Sequence, residues 1–555
     1  MIKSFDRDRI ISWSILFIAV LFRLASLSLK PPHGDEGVNG HFINLMWENG
    51  FYRYDPTNFH GPLLFYLQQI SEKIFGFGIN SLRIVTVLFS VLTVWLALRC
   101  RDILGQYGSY FTALILAVSP GMIFFGRSAI HESVFVFFQV IWIAGFLRLQ
   151  EQMNRKALQW FLFGILGSVL LKETFLIIGI SFFLAWGWLS ASPLILRRIR
   201  QEFEKPPGIL YLSGISRKKN DIPDKTSRSG KKAKKQPSVS SPPIEPVMTD
   251  NIVGDVDRNF FIKTVVVVLC IWLALFTGFF QNMKGAKDFF IALAPWLKTG
   301  VGGAGHDKPF MHWISLFRQY EWVGVVGIAG AFAGIISRSW KMRFLSFFAL
   351  VNGLIYSLIP YKTPWCVISI LWPFVFIAGI WIEFVINEKA NKRYSPILLA
   401  SIVIAVLLIG RSATTAYELN FVHYADTSPY VYVQVKNEFK VLEKIVQKKL
   451  RTGPDMQNII VQSCLLTESW PLPWFFSRFP NYRYGNSTDS FDLNSDIIFA
   501  DVTRNAPELS GLYLRRKTDM RESRELMYIY LKRSSFRGID LTGFESFPGT
   551  GSGGA

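Results

Sequence analysis

The sequence predicts an α-helical polytopic membrane protein, with about eleven transmembrane helices and a C-terminal α/β soluble domain on the outer face. Three observations carry that prediction. Hydrophobic residues make up 50% of the 555 residues and charged residues only 18%, with 49 Phe and 17 Trp. The mean hydropathy of +0.28 is too apolar for an ordinary soluble domain. The third is where the charge sits: Lys and Arg number 60 against 40 Asp and Glu, a formal charge of +20. The basic residues lie in the gaps between apolar runs, which reads as membrane topology and not as a nucleic-acid groove. Cys100, Cys270, Cys366 and Cys464 fall mostly within apolar runs and at no metal-ligand spacing, against a disulfide scaffold or a zinc ribbon. A soluble enzyme and a nucleic-acid partner are thereby set aside.

A membrane helix needs roughly 20 mainly apolar residues. Candidate spans lie near 11–29, 82–98, 109–124, 133–147, 158–171, 174–192, 260–281, 321–337, 343–359, 365–386 and 396–411. The first reads as a retained span, because it is long for a signal peptide and lacks a small-residue cleavage site. One parity of gaps carries Lys3, Arg7 and Arg9, then Arg99 and Arg101, then Arg148, Arg155 and Lys156. It continues with Arg197, Arg198 and Arg200, then Arg338, Lys341 and Arg343, then Lys389, Lys392 and Arg393. The positive-inside rule makes these cytoplasmic, so the N-terminus is inside the plasma (inner) membrane and an odd number of spans puts the C-terminal segment outside. A single helix over 158–192 would be roughly 50 Å long, well beyond the hydrocarbon core, so the run reads as two spans meeting at Lys172–Glu173.

The transmembrane domain thus covers 1–411, with an outer loop at 30–81, a basic and disordered cytoplasmic loop at 193–258, and an outer loop at 282–320 with a flexible centre from Gly300 to Asp307. The soluble outer domain covers 412–548. It has a helix-like stretch, Gln434–Leu450, and strand-like runs at Asn458–Gln462, Ser495–Val502 and Leu526–Leu531. Residues 549–555 read as a disordered tail.

The topology places all seven histidines (His33, His41, His60, His131, His306, His312 and His423) on the outer side. The same side receives Asp35 with Glu36, Arg127 with Glu132, Lys172 with Glu173, and Lys362. In the 30–81 loop, apolar residues at helical spacing over Val38–Trp47 and Leu64–Phe75 fit helices lying in the interface. Asp35 and Glu36 are neighbours and in an extended loop point to opposite sides, which suits one working carboxylate and one structural or metal-contacting carboxylate better than a glycosidase-type pair. Each feature has a plain alternative: a solvated Asp-Glu turn, an interfacial Arg127, a hairpin at Lys172, inert surface histidines, a chance sequon at Asn486-Ser487-Thr488. Their shared side, and the repetition of paired charges at helix ends, favour chemistry.

The layout resembles the GT-C membrane glycosyltransferases, which include the protein O-mannosyltransferases and the aminoarabinose transferases of lipid A. More narrowly it resembles the prokaryotic branch named for flippase-associated archaeal protein glycosylation. The matching stretches are His33-Gly34-Asp35-Glu36, Tyr52-Arg53-Tyr54-Asp55-Pro56, His60-Gly61-Pro62-Leu63 and Arg127 to Glu132. Further along come Lys172-Glu173-Thr174, Tyr361-Lys362-Thr363-Pro364-Trp365 and Trp470-Pro471-Leu472-Pro473-Trp474. His131 departs from the branch, which more usually has Arg before the acid, and the 193–258 insertion is peculiar to this chain.

The resemblance implies transfer of a sugar, with inversion, from a polyprenyl-phosphate donor to an acceptor hydroxyl on a glycan, lipid or protein at the outer face. It makes Asp35 the general base with Glu36 beside it, and Arg127, Lys172 and Lys362 the donor-phosphate ligands. His60, Tyr54, His131, Glu132 and Glu173 are further site candidates. Some relatives use a divalent cation such as Mg or Mn, for which Glu36 and Glu132 are the candidate ligands. The competing class is a non-enzymatic flippase partner or transporter of lipid-linked sugars; it predicts midplane polar residues and repeats, whereas here most charges sit at the outer rim. A membrane metalloprotease lacks its helix-borne His-Glu motif.

Overall fold

The computed structural model describes residues 2–204, 255–302, 306–389, 396–424, 428–432, 435–436, 438–452, 458–465, 470–485, 489–504, 506–519 and 526–548. Most of the 193–258 loop, the sequon and the 549–555 tail lie outside them.

The chain opens with α1 (Ile2–Leu24), α2 (Gly34–Asn49), α3 (Leu63–Phe75), α4 (Ile79–Arg99) and the single turn α5 (Arg101–Leu104). It continues through α6 (Gln106–Val118), α7 (Pro120–Gly126), α8 (Glu132–Glu151), α9 (Arg155–Val169) and α10 (Phe175–Glu204). Then come α11 (Arg258–Phe276), α12 (Lys284–Gly302), α13 (His312–Tyr320), α14 (Trp322–Gly334), α15 (Trp340–Leu358), α16 (Val367–Lys389) and α17 (Pro396–Tyr417). Each of the eleven apolar runs overlaps a helix, but not every helix has the length of a full span. Among the described residues, six are long and apolar enough to cross a bilayer, or seven if α6 and α7, bent by 56°, count as one. Helices α9 and α14 are shorter, at 15 and 13 residues, while α1 and α15 carry charges in their N-terminal turns, with Arg23 near the end of α1.

The basic gaps meet at one end of the bundle. Arg101 pairs with Asp8 at 3.5 Å, Arg148 grips Asp102 at 2.6 and 2.8 Å, and Lys341 reaches the Asp102 carbonyl at 2.6 Å and pairs with Glu151. Toward the other end, the 158–192 run is two helices joined by a turn at Leu170–Thr174, which carries Lys172 and Glu173. Helix α9 packs tightly on α8 because glycines face backbone. A Cβ on Gly164 would sit 2.4 Å from the Trp142 nitrogen, and one on Gly145 2.4 Å from the Phe161 nitrogen.

Two segments read as loops are helical. The expected flexible loop at 282–320 holds α12 and α13, and α10 continues through Pro193 to Glu204, so the basic loop begins later than 193. Helix α17 also runs past Arg411, and Tyr430 beyond it packs on Phe125 and Tyr320 in the bundle core. The C-terminal core therefore starts at Val435, whose N–H bonds the Pro32 carbonyl at 3.1 Å.

That domain comprises α18 (Glu438–Thr452), β1 (Ile460–Cys464), α19 (Leu472–Phe476), β2 (Asn481–Gly485), β3 (Ile497–Asp501), β4 (Tyr513–Asp519) and β5 (Leu526–Lys532). The sheet order is β2-β1-β3-β5-β4, with β1 parallel to β2 and β3, and the β3–β5 and β5–β4 pairs antiparallel. It seats on α2 through the Trp470–Trp474 stretch. Gly40 lies where a Cβ would meet the Trp474 ring at 2.4 Å, Asn44 donates to the Trp474 carbonyl at 3.0 Å, and Arg478 bridges Asn44 and Glu72. Helix α2 is thus covered by the C-terminal domain and does not lie as a bare interfacial helix.

Candidate active site

The turn before α2 is built by its own sequence. His33 is the N-cap: its Nδ1 accepts from the Asp35 N–H at 3.0 Å while Glu36 Oε2 accepts from the His33 N–H at 2.7 Å, closing a capping box. This fixes Asp35 and Glu36 in the first helical turn, so they diverge by helix geometry and not by strand alternation.

Glu36 is fully buried against Arg83, which donates to it at 2.8 and 2.7 Å, and it takes the Ala129 N–H at 2.6 Å. Burial pushes its pKa up, but Arg83, Lys30 and the Ala129 N–H outweigh that and hold it at about 2. Arg83 spends its remaining N–H groups on the carbonyls of Leu27, Lys30 and Pro31. This pair pins the chain after α1, the start of α2 and the loop before α8 to one another.

A cavity of about 630 Å³ opens beside this knot, lined by Asp35, His60, His131, Glu132, Lys172 and Glu173 among its polar groups. Two carboxylates there are taken. Glu132 forms a buried ion pair with Lys172, and Glu173 Oε2 lies 2.9 Å from His60 Nδ1. Burial lowers the Lys172 pKa, yet Glu132 overrides it and holds the ammonium charged, well above its usual value. The His131 ring lies 4.6 Å from that of His60, tilted by 48°, its Nε2 is buried without a partner among the described residues, and burial, His60 and Lys172 keep it neutral, well below the usual histidine range. Asp35 differs from the others: half-buried and on the cavity wall, it has no hydrogen-bond or ion-pair partner for its carboxylate among the described residues. Much of the remaining lining is apolar, with Ile177 from α10, Trp296, Leu297 and Val301 from α12, and Ile355 and Leu358 from α15.

The remaining candidates lie elsewhere. Arg127 is buried, donates to the carbonyls of Phe22, Arg23, Ala25 and Ser26 at the end of α1, and lies over Phe421. That is a cation closing a helix C-terminus. Lys362 gives its ammonium to the carbonyls of Ile359 at 2.5 Å and Lys308 at 3.1 Å, and does not line the cavity. Tyr54 sits behind the wall, donating to the Phe59 carbonyl at 3.1 Å. Sequence reading missed Arg83, whose only signal is an arginine near the start of an apolar helix, and the α12 wall, whose signal is the apolar spacing over Phe289–Leu297.

A divalent cation does not fit Glu36 and Glu132 as they stand, since Arg83 and Lys172 occupy their carboxylates. No group of three or more His, Cys, Asp or Glu among the described residues is arranged to hold one.

Comparison with solved structures agrees with this architecture. ArnT from Cupriavidus metallidurans in the apo state superposes with a TM-score of 0.57 at 11% identity, over 94% of this chain and 98% of that one. The same protein bound to undecaprenyl phosphate gives 0.55 at 10% identity, over 93% and 97%. The chain has a GT-C glycosyltransferase fold. The archaeal oligosaccharyltransferase AglB from Archaeoglobus fulgidus, with an inhibitory peptide and a dolichol-phosphate, aligns more loosely, with a TM-score of 0.49 at 13% identity over 94% of this chain and 74% of that one. Residues 59–215 match the family described as Dolichyl-phosphate-mannose-protein mannosyltransferase, a stretch that contains His60, Arg83, Glu132, Lys172 and Glu173 of the cavity and the knot beside it. No curated protein matches the chain significantly in sequence.

Proposed function

We propose that the chain transfers a sugar from a polyprenyl-phosphate-linked donor to an acceptor hydroxyl at the outer face of the membrane. The observation that carries this reading is the unpaired Asp35 carboxylate in a cavity whose one Lys or Arg side chain, among the described residues, is Lys172. An acceptor hydroxyl is a weak nucleophile, and a carboxylate within reach takes its proton as the oxygen attacks the anomeric carbon. The new C–O bond forms as the bond from that carbon to the phosphate oxygen breaks, and polyprenyl phosphate leaves with the electron pair. Attack in one displacement inverts the anomeric centre. Charge builds on the phosphate, where a fixed ammonium stabilises it most in a site of low dielectric. Lys172 supplies that charge, and Glu132 holds it in place. The three cations expected to share the phosphate narrow to this one, because the other two are engaged with carbonyls. The wall from α10, α12 and α15 suits the first isoprene units of the donor tail.

The test supplies labelled polyprenyl-phosphate sugars to membranes of a strain lacking the protein, with and without the added chain. Label should pass to a new product only when the chain is present, and the labelled fraction names the acceptor class. If no donor in the panel loses label while the chain still restores glycan display in cells, the protein is a non-enzymatic partner of lipid-linked sugar transport.

A further inference from the structure

The basic end of the bundle carries a second feature, unrelated to the cavity with Asp35. A cleft of about 510 Å³ lies between α1 and α4, lined by Arg9, Arg99, Arg101 and Asp8 with Trp13 and Trp95. On the far side of Arg99 lies another cleft of about 220 Å³, lined by Arg148, Lys156, Asp102 and Trp160. The two together hold five cations against two carboxylates, and both carboxylates are already spent: Asp8 on Arg101 and Asp102 on Arg148.

Arg99 is the ridge they share. It is exposed, it lies toward the Trp95 ring at 5.8 Å, and no carboxylate pairs with it among the described residues. A guanidinium beside an indole face keeps its N–H edge available for a phosphate, which it can grip with two parallel hydrogen bonds. From this cleft an apolar track runs toward the middle of the bundle. On α1, Trp13, Phe17 and Leu21 are spaced four apart and exposed; on α4, Trp95 and Leu88 are seven apart and exposed. Those spacings keep each set on one helix face. A cationic mouth above two lipid-facing apolar stripes is complementary to a molecule with an anionic head and long acyl chains, and to neither part alone.

We infer that the paired clefts around Arg99 form a binding site for an anionic glycerophospholipid of the leaflet at the basic end. Its phosphate lies at Arg99 between the two clefts, and its chains follow the Trp13 and Trp95 faces. Each cation near a lipid surface is worth about a fivefold change in affinity.

The experiment uses the full chain purified in a neutral detergent. Retention of phosphatidylglycerol and phosphatidylcholine is compared by native mass spectrometry, and thermal stabilisation is measured with each lipid and with inorganic phosphate. Phosphatidylglycerol should be retained in preference to phosphatidylcholine. The preference should fall about fivefold in Arg99→Gln and about twenty-five-fold in Arg99→Gln with Lys156→Gln. Both residues lie at the surface, and the unfolding temperature without lipid should match the wild type. Equal retention of the two lipids, or an undiminished preference in both variants, overturns the site. Stabilisation by inorganic phosphate equal to that by phosphatidylglycerol overturns the lipid and leaves a free-phosphate site.

Discussion

Four carboxylates lie around or beside the cavity, and their partners separate them. Glu36 belongs to Arg83, Glu132 to Lys172 and Glu173 to His60, while Asp35 belongs to none of the described residues. Glu36→Gln leaves the Arg83 charge buried and uncompensated, so it should cost about 3 to 5 kcal/mol in detergent unfolding. Asp35→Asn should leave unfolding unchanged. Lys172→Met should slow the chemical step and raise the donor concentration needed; an unchanged rate with limiting donor would remove Lys172 from the site. Acid should act through the histidines first. Burial lowers the pKa of both His33 and His131, so each contributes stability above its unfolded value, about 6.5, that is lost as pH falls below it. The Glu36 contribution has the same sign but persists until pH falls below about 4.5, toward its folded value of about 2. His131→Asn should therefore make the stability profile shallower below pH 6.5, leaving the His33 contribution and the lower limb in place. Asp35 is legible in the sequence, as an acidic pair just after an apolar run. That Glu36 rather than Asp35 is the buried partner of Arg83 is not, because Arg83 meets it across 47 positions of chain.

At the scale of elements, the same contrast holds between centre and edge. The three strand-like runs read from sequence became β1, β3 and β5, the interior of the sheet, with apolar residues on both faces. The two strands that were not anticipated, β2 and β4, are its edges. Their sequences, Asn-Tyr-Arg-Tyr-Gly and Tyr-Leu-Arg-Arg-Lys-Thr-Asp, carry the charge that protects an exposed edge and hides the strand pattern. The close approach of α8 and α9 was equally hidden, since a glycine in an apolar run does not say what it faces. Gly164→Val places side-chain carbons against the Trp142 backbone and should destabilise the helical hairpin by about 1 to 3 kcal/mol or more. Gly40→Val should instead push Trp474 off α2. Unfolding of the bundle should hardly change, but limited proteolysis should release the C-terminal domain faster, and transfer should fall because Asp35 rides on the same helix.

The whole molecule divides its polar residues between two ends. One end holds solvated ion pairs between the basic gaps, and the other holds a cavity whose charges are buried and paired, Asp35 excepted. Hydropathy and charge parity made this division readable, because each records a bulk preference for lipid or water. The bend between α6 and α7 is local, with Ser119 capping α7 and Pro120 at its first position, whereas the lengths of α9 and α14 stop short of the apolar runs that predict full spans. The central claim is that Asp35 takes the acceptor proton. Its most direct test compares wild type, Asp35→Asn and Asp35→Glu in the labelled-donor assay, at matched unfolding temperature and matched donor binding. Transfer should fall about a hundredfold or more in Asp35→Asn and return in part in Asp35→Glu. Full transfer by Asp35→Asn would contradict the account.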